Sequence, residues 1–342
     1  MDGTSQSPYI TELCWVSPVR RAMRRDSLSN ITAAGLLSAL TGDPEALDVH
    51  LALVKRDIPI DGQSIKVHCH CLTVDGNGRV QTRRLAEFMR NAVADYAISR
   101  SKLAEAKARD AKYNSTEAVT ALVEQARGSF THLAKSGEGG ELLLFLLAER
   151  FLKLPHILCK MDLKTDSQMH YHGADGVYAG VTDDGTLKLY WGESKIFKDA
   201  GTAIRNCLAS LAPFLIEPEH EGAERERDLI LLSDKADLSN PMLTKALRRY
   251  FDQNSVQSKR VRYCGVALVG FDAPFYPTND KAKTAEEICA AAQHSLLTWQ
   301  ERIGERVGKE QLSQIEIQLF CIPLPSAEEF RAAFMTAMGL SK

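Results

Sequence analysis

Residues 172–197, HGADGVYAGVTDDGTLKLYWGESKIF, predict a β-hairpin whose register decides the surrounding fold. The Asp-Asp-Gly turn at 183–185 suits a three-residue loop, because glycine readily takes the left-handed conformation that closes a type I turn. The alternative, a two-residue Asp-Gly loop, would set the apolar residues of the first strand against Gly192, Tyr190 and Lys188. The three-residue loop pairs apolar residues with apolar residues, so the pattern selects it.

The selected register places two acidic residues opposite each other at the end of the hairpin. Asp175 faces Glu193, with Cβ atoms expected about 5 Å apart, and Lys195 follows on the same strand face. Two carboxylates at a strand end form a hard-oxygen site suited to Mg²⁺ or Mn²⁺. A cross-strand salt bridge to Lys195 explains the pattern equally well, and the residues alone leave both interpretations open.

The wider chain alternates helical and strand patterns. A glycine-rich stretch at 136–140 is predicted to separate an N-terminal accessory α+β region, residues 1–135, from a second domain, residues 136–342. In the second segment we expect helices at 141–152, 200–211 (ending before Pro213) and 284–303, a terminal helix, and strands at 156–163, 175–182, 186–196, 261–271 and 315–322. This order predicts an α/β fold with a mixed central sheet flanked by helices.

Composition narrows the function classes. With 42 Lys and Arg against 44 Asp and Glu, the formal net charge is -2, so any DNA binding would need a local basic patch. The longest uninterrupted apolar stretch, 142–148, is far shorter than the roughly 20 residues of a membrane-spanning helix. Eight cysteines without a repeating framework indicate free thiols. We therefore expect a soluble cytoplasmic protein without a membrane segment.

The segment 67–71, Val-His-Cys-His-Cys, contains four residues of metal-ligating types. In a strand, His68 and His70 share one face and Cys69 and Cys71 the other, so the four side chains cannot converge on one ion. We therefore expect buried thiols opposite partly exposed imidazoles rather than a zinc site.

Asp175, the hairpin and the triplet Glu193-Ser194-Lys195 together resemble the PD-(D/E)xK nuclease superfamily. That resemblance implies a restriction-endonuclease-like core: a helix, a three-stranded antiparallel meander, a helix and a strand. The surrounding sequence, which includes GEGGELL at 137–143, is similar to the HamA family of Hachiman anti-phage defence nucleases across residues 136–325.

The resemblance implies a metal-dependent deoxyribonuclease that uses Mg²⁺ or Mn²⁺ to hydrolyse phosphodiester bonds in DNA. Asp175 and Glu193 match the metal-binding acids, and Lys195 matches the lysine of the ExK motif. The superfamily also tends to place a glutamate on its first core helix. Glu141 matches that position as a catalytic and metal-binding acid, with Glu138 as the alternative.

The resemblance also implies a partner, a HamB-type ATP-dependent helicase that forms a complex with the nuclease and holds it in check. The chain has no GxxxxGK[ST] phosphate loop, so ATP use is expected of the partner. His172, Lys198 and Arg205 are further candidates for substrate binding. A catalytically silent scaffold or DNA-binding adaptor for a helicase, and a stand-alone restriction or repair nuclease, remain alternative functions.

Overall fold

The computed structural model describes residues 31–131, 137–163, 173–216, 224–277 and 282–340. At its centre is a six-stranded mixed sheet with strand order β1-β2-β6-β5-β4-β3. The strands are β1 (Leu51–Pro59), β2 (Ile65–Leu72), β3 (Gly176–Val181), β4 (Leu187–Phe197), β5 (Val261–Asp272) and β6 (Ile317–Leu324). Neighbouring strands among β2, β6, β5 and β4 are parallel, whereas β1 and β3 are antiparallel to theirs. The predicted α/β fold with a mixed sheet is confirmed.

Eleven helices accompany the sheet in these ranges. They are α1 (Ala33–Leu37), α2 (Thr82–Asn91), α3 (Val93–Ala97), α4 (Arg100–Tyr113), α5 (Glu117–Gly128), α6 (Glu138–Leu146), α7 (Ala200–Leu215), α8 (Glu224–Lys235), α9 (Pro241–Arg248), α10 (Ala285–Lys309) and α11 (Ala327–Met338). A π-helical turn, Leu147–Phe151, extends α6, and a short 3₁₀ helix covers Met161–Leu163.

The helices cover both faces of the sheet. Ser194 lies against α6 at Gly140, whereas its neighbour Glu193 is hydrogen-bonded to Ser210 of α7. Because consecutive strand residues point to opposite faces, α6 and α7 lie on opposite sides of β4. Helix α7 also packs on β5, and α10 packs on α7, β1 and β2. The candidate site is therefore built where a sheet edge passes between two helical layers.

Strands from both sides of the predicted boundary at residue 136 contribute to one sheet. Strand β2 from the first segment pairs with β6 from the second, from Ile65–Ile317 to Cys69–Cys321. The assignment of residues 1–135 and 136–342 to two domains with separate roles stays a prediction, and the sheet itself is shared between the two segments.

Two predicted elements differ from the structure. The strand expected at 156–163 forms only an isolated bridge between His156 and Tyr178, because the next carbonyl, of Ile157, accepts the N–H of Asp237 and the chain leaves β3. Helix α7 does not end before Pro213 but continues to Leu215. A proline in the last turn removes one backbone hydrogen bond, and the burial of the residues that follow it outweighs that loss.

The 67–71 segment is a strand with both faces buried. His68 and His70 are not partly exposed as predicted, because Phe151 and Phe320 pack against both rings. The seven cysteines within the described residues are free, as predicted. In the same residues, no helix is both long and apolar enough to span a membrane.

Candidate active site at the free edge of the hairpin

The hairpin has the register that its turn and apolar pattern predict. Val177 pairs with Trp191, and the last recorded pair is Gly176 with Gly192. The Thr182 N–H donates to the Thr186 carbonyl at 3.0 Å. Gly185 has a φ of +78°, the left-handed conformation that selected glycine for this position. Local turn chemistry therefore fixes the register of the two strands up to the pair Gly176–Gly192.

Asp175 lies one residue before β3 and does not extend the ladder toward Glu193. Its backbone N–H donates to the Gly192 carbonyl at 2.9 Å. Its carboxylate Oδ2 accepts hydrogen bonds from both the N–H and the hydroxyl of Ser194, each at 2.8 Å. Because β3 has ended, no described strand pairs with β4 on this side at Ser194. The Asp175 side chain caps that edge and is not paired across the hairpin with Glu193.

Glu193 and Lys195 form the ion pair that the sequence left open. The Lys195 ammonium donates to Oε1 of Glu193, whose side chain is 6% exposed, whereas that of Lys195 is 29% exposed. A buried acid thus binds the ammonium of a partly buried lysine.

The two acids and the lysine are electrostatically linked. The pKa of Glu193 is raised to about 8, first by burial and then by the nearby Asp175 carboxylate, and the influence of Lys195 opposes this shift. Burial also raises the pKa of Asp175, against the influence of Lys195 and the Ser194 hydrogen bonds. Burial alone would lower the pKa of Lys195, but the two carboxylates outweigh it and the pKa is raised. One lysine therefore only partly offsets the buried Glu193 and the partly buried Asp175.

A cleft of about 450 Å³ opens at this edge. Three of the four predicted catalytic residues line it: Glu141, Asp175 and Lys195. Glu193 does not line the cleft and is linked to it through its ion pair with Lys195. The remaining walls comprise Gly137, Gly139, Gly140, Ser194, Ile196, Phe197, Phe330, Arg331, Phe334 and Met335.

The glycines of the GEGGELL motif allow α6 to approach its neighbours closely. A Cβ on Gly139 would lie 3.2 Å from the Phe334 ring of α11, and one on Gly140 would lie 3.1 Å from the Ser194 hydroxyl. This contact brings Glu141 into the cleft, where its Oε2 accepts a hydrogen bond from the Tyr96 hydroxyl at 3.0 Å. Glu138, the alternative acid, is buried and accepts the Thr131 N–H at 2.9 Å.

Of the predicted substrate-binding residues, the two that the structure describes do not line this cleft. Lys198 is exposed and lies 3.4 Å from a Glu328 carboxylate oxygen. Arg205 lies on the exposed side of α7 and donates to the Thr202 hydroxyl at 3.4 Å. Neither side chain lines the cleft, and His172 lies outside the described residues.

Asp175 and Glu141 line the cleft, and carboxylate oxygens are of the type that Mg²⁺ binds. Across the described ranges, no group of three or more His, Cys, Asp or Glu side chains is arranged to hold a metal ion. Mg²⁺, however, usually binds one or two carboxylates and keeps water and substrate phosphate as its other ligands. The incompletely offset pair of Asp175 and Glu193, with Glu141 across the cleft, fits that pattern in charge and in ligand type.

Sequence reasoning did not single out three residues of the site. Ser194 occupies the variable position of the ExK triplet, and its hydroxyl holds Asp175. Tyr96 reaches Glu141 from α3, and Arg331 reaches the cleft from α11. No local pattern distinguishes the last two, because both reach the site through packing between helices distant in sequence.

Comparison with known protein families identifies a match over most of the chain. A family model described as HamA matches residues 49–338. That span includes all six strands of the sheet and every residue lining the cleft. No curated protein matches the chain.

Proposed function

Because the chain belongs to the HamA family and is therefore a Hachiman defence component, we propose that it is the nuclease effector of that system. The proposed reaction is metal-dependent hydrolysis of phosphodiester bonds in DNA, under the control of an ATP-dependent helicase partner. The observation that carries the proposal is a single cleft lined by Glu141, Asp175 and Lys195, with Glu193 bound to the lysine.

Asp175, Glu193 and Glu141 are the residues that would hold Mg²⁺ or Mn²⁺. When bound, the ion lowers the pKa of a coordinated water and offsets charge on the phosphate. The hydrogen bonds from Ser194 fix the direction of the Asp175 carboxylate, and Tyr96 does the same for Glu141. The chain thus orients its acids through neutral donors.

Lys195 would act on the phosphate or on the attacking water. Its ammonium is bound by Glu193, and a compact positive charge on a residue of the cleft would stabilise negative charge that develops during hydrolysis. Replacing it should therefore reduce the rate of cleavage more than the affinity for DNA.

The direct test is cleavage of plasmid and linear DNA by the full chain, with and without the helicase, in Mg²⁺ or EDTA. Glu193→Gln and Lys195→Ala are expected to lower the rate by about 100-fold or more. A matched control pair involves the same strand: Lys188 of β4, with 24% side-chain exposure, pairs with Glu316, which precedes β6, at 2.7 Å. Lys188→Ala and Glu316→Gln should retain the wild-type rate. Cleavage that survives both EDTA and the two site substitutions would refute the mechanism.

A scaffold function is the second candidate, favoured by one observation. Within the residues described, no cluster of three ligating side chains is present, and Lys195 already pairs with Glu193. In that case the chain would bind the helicase and would cleave no DNA, whether or not the helicase is present. The Glu193→Gln variant would then protect cells from phage as well as the wild type does. Cleavage by the isolated chain, without a stable helicase complex, would instead indicate a stand-alone nuclease.

A further inference from the structure

Arg331 enters the cleft from α11, the helix that packs against the glycines of α6. The buried rings of Phe330 and Phe334 lie 3.4 and 3.2 Å from where a Cβ on Gly139 would be. Arg331 directly follows Phe330 and lines the cleft together with Met335, which lies four residues further along the same face of the helix. The close contact between α6 and α11 therefore fixes where the arginine side chain begins.

The guanidinium of Arg331 is anchored to β4 beside Lys195. One of its terminal N–H groups donates to the carbonyl of Ile196, the residue that follows Lys195. A guanidinium has five N–H donors, and among the described residues this is the only hydrogen bond that Arg331 makes. Arg331 is partly exposed, so its other donors are left for water or for a ligand in the cleft.

The two cations that line the cleft differ in their partners. Among its described lining residues, these cations are Lys195 and Arg331. Lys195 forms an ion pair with Glu193, whereas no carboxylate of the described residues forms one with Arg331. Arg331 is therefore the lining cation whose charge is left for an anion that enters the cleft.

A phosphate group matches what Arg331 offers. Arginine binds phosphate oxygens through paired N–H groups of defined geometry. The carboxylates of Glu141 and Asp175 line the same cleft, and like charges repel, so they oppose the entry of a phosphate. A positive charge that no protein carboxylate already holds offsets this repulsion.

We propose that Arg331 binds a phosphate group of the DNA strand that occupies the cleft. Arg331 is then a substrate-binding residue, whereas Lys195 acts on the bond that is cleaved. This inference rests on the proposed function and adds to it the residue on which the affinity for substrate depends. Replacing Arg331 should therefore weaken DNA binding, and replacing Lys195 should mainly slow cleavage.

Binding in EDTA tests the proposal without requiring cleavage. Fluorescence anisotropy of the full chain with labelled single-stranded and duplex DNA gives Kd at several salt concentrations for the wild type and for Arg331→Gln. Glutamine can still donate an N–H but carries no charge. Kd should rise about tenfold or more, and the slope of log Kd against log salt concentration should fall by about one. An unchanged Kd, an unchanged slope, or no binding of either DNA by the wild type would overturn the proposal.

Two further variants separate a phosphate contact from a structural role. Arg331→Lys keeps the charge but not the paired N–H groups, so it should retain the wild-type salt slope and recover part of the affinity. Lys198→Ala removes an exposed charge outside the cleft, where Lys198 pairs with Glu328, and should change neither quantity. An equal loss of affinity in Lys198→Ala would indicate a general effect of surface charge and would overturn the proposal. So would a loss of stability to urea in Arg331→Gln with an unchanged salt slope.

Failure of this inference is distinguishable from failure of the nuclease proposal. DNA binding that depends on Arg331, in a chain that never cleaves DNA with or without the helicase, would leave the phosphate contact standing and remove the nuclease. Cleavage that requires Mg²⁺ and Lys195, with wild-type Kd and salt slope in Arg331→Gln, would do the reverse.

Discussion

Glu149 is the buried acid whose replacement should destabilise the protein most. Its carboxylate is 1% exposed and accepts hydrogen bonds from the Arg100 guanidinium, the Thr41 N–H at 3.0 Å, the Thr41 hydroxyl at 2.5 Å and the His156 N–H at 2.7 Å. One side chain thus connects the segment before β1, the first turn of α4 and the residue that bridges to β3.

Glu149→Gln keeps the shape of the side chain but removes its charge and converts one acceptor oxygen into a donor. Arg100 is then a buried cation without its anion, and at least one of the four donors faces another donor. Removing one partner of a buried ion pair costs about 3–5 kcal/mol, against a total stability of about 5–15 kcal/mol for natural proteins. We expect the free energy of unfolding to fall by about 3–5 kcal/mol.

Equilibrium unfolding in urea, followed by tryptophan fluorescence, measures the change. The matched control is Glu87→Gln, which breaks the exposed pair with Arg83 on α2 and should cost less than about 0.5 kcal/mol. The double variant Arg100→Met/Glu149→Leu should regain part of the lost stability, because no unpaired charge remains. A loss below about 1 kcal/mol for Glu149→Gln, with an unchanged dependence on urea, would refute the reasoning.

Three further predictions concern residues around the site, and one of them has a control substitution elsewhere. Gly173→Ala should lower the free energy of unfolding by about 1–3 kcal/mol, since φ is +132° and the new Cβ would lie 2.3 Å from the Lys160 ammonium. As a control, Gly308→Ala in a helix with open space around it should raise that free energy by up to about 1 kcal/mol. Equal shifts in Tm for the two variants would contradict this prediction. Burial lowers the pKa of His156 from 6.5 to about 3, so the free energy of unfolding should fall by up to about 1.4 kcal/mol per pH unit as the pH drops from 6.5 to about 3. His156→Phe should reduce this dependence on pH. An unchanged dependence would exclude His156 as its source. Ser194→Ala removes one hydrogen bond to a buried carboxylate and should cost about 1–3 kcal/mol in urea unfolding, so wild-type stability would argue against that bond.

The sequence predicted the parts of the site that depend on local chemistry. The turn at 183–185 and the apolar alternation of its flanks correctly predict the pairing up to Gly176–Gly192. Beyond that pair the predicted register no longer holds, because β3 ends and the Asp175 carboxylate accepts the N–H of Ser194 on the unpaired edge of β4. The predicted opposition of Asp175 and Glu193 is thus replaced by capping of Ser194.

Non-local pairing was the least predictable part of the fold. The segment 156–163 has a strand-like pattern, but its hydrogen bonds depend on where Asp237 arrives from another part of the chain. The place of β2 beside β6 has the same origin, since nothing near residue 65 specifies residue 317 as its neighbour. Apolar runs indicate that a segment is buried and leave its partner open.

The sequence by itself determined the class of fold, the hairpin register and the residue types available for catalysis. Each of these follows from backbone preferences and side-chain alternation within about 25 residues of chain. Only the tertiary structure decided that Glu141 rather than Glu138 enters the cleft, because the close contacts at Gly139 and Gly140 set how α6 meets α11 and β4. It likewise brought Arg331 to the cleft, since the packing of distant helices depends on shape at their contact surfaces, which periodicity does not specify.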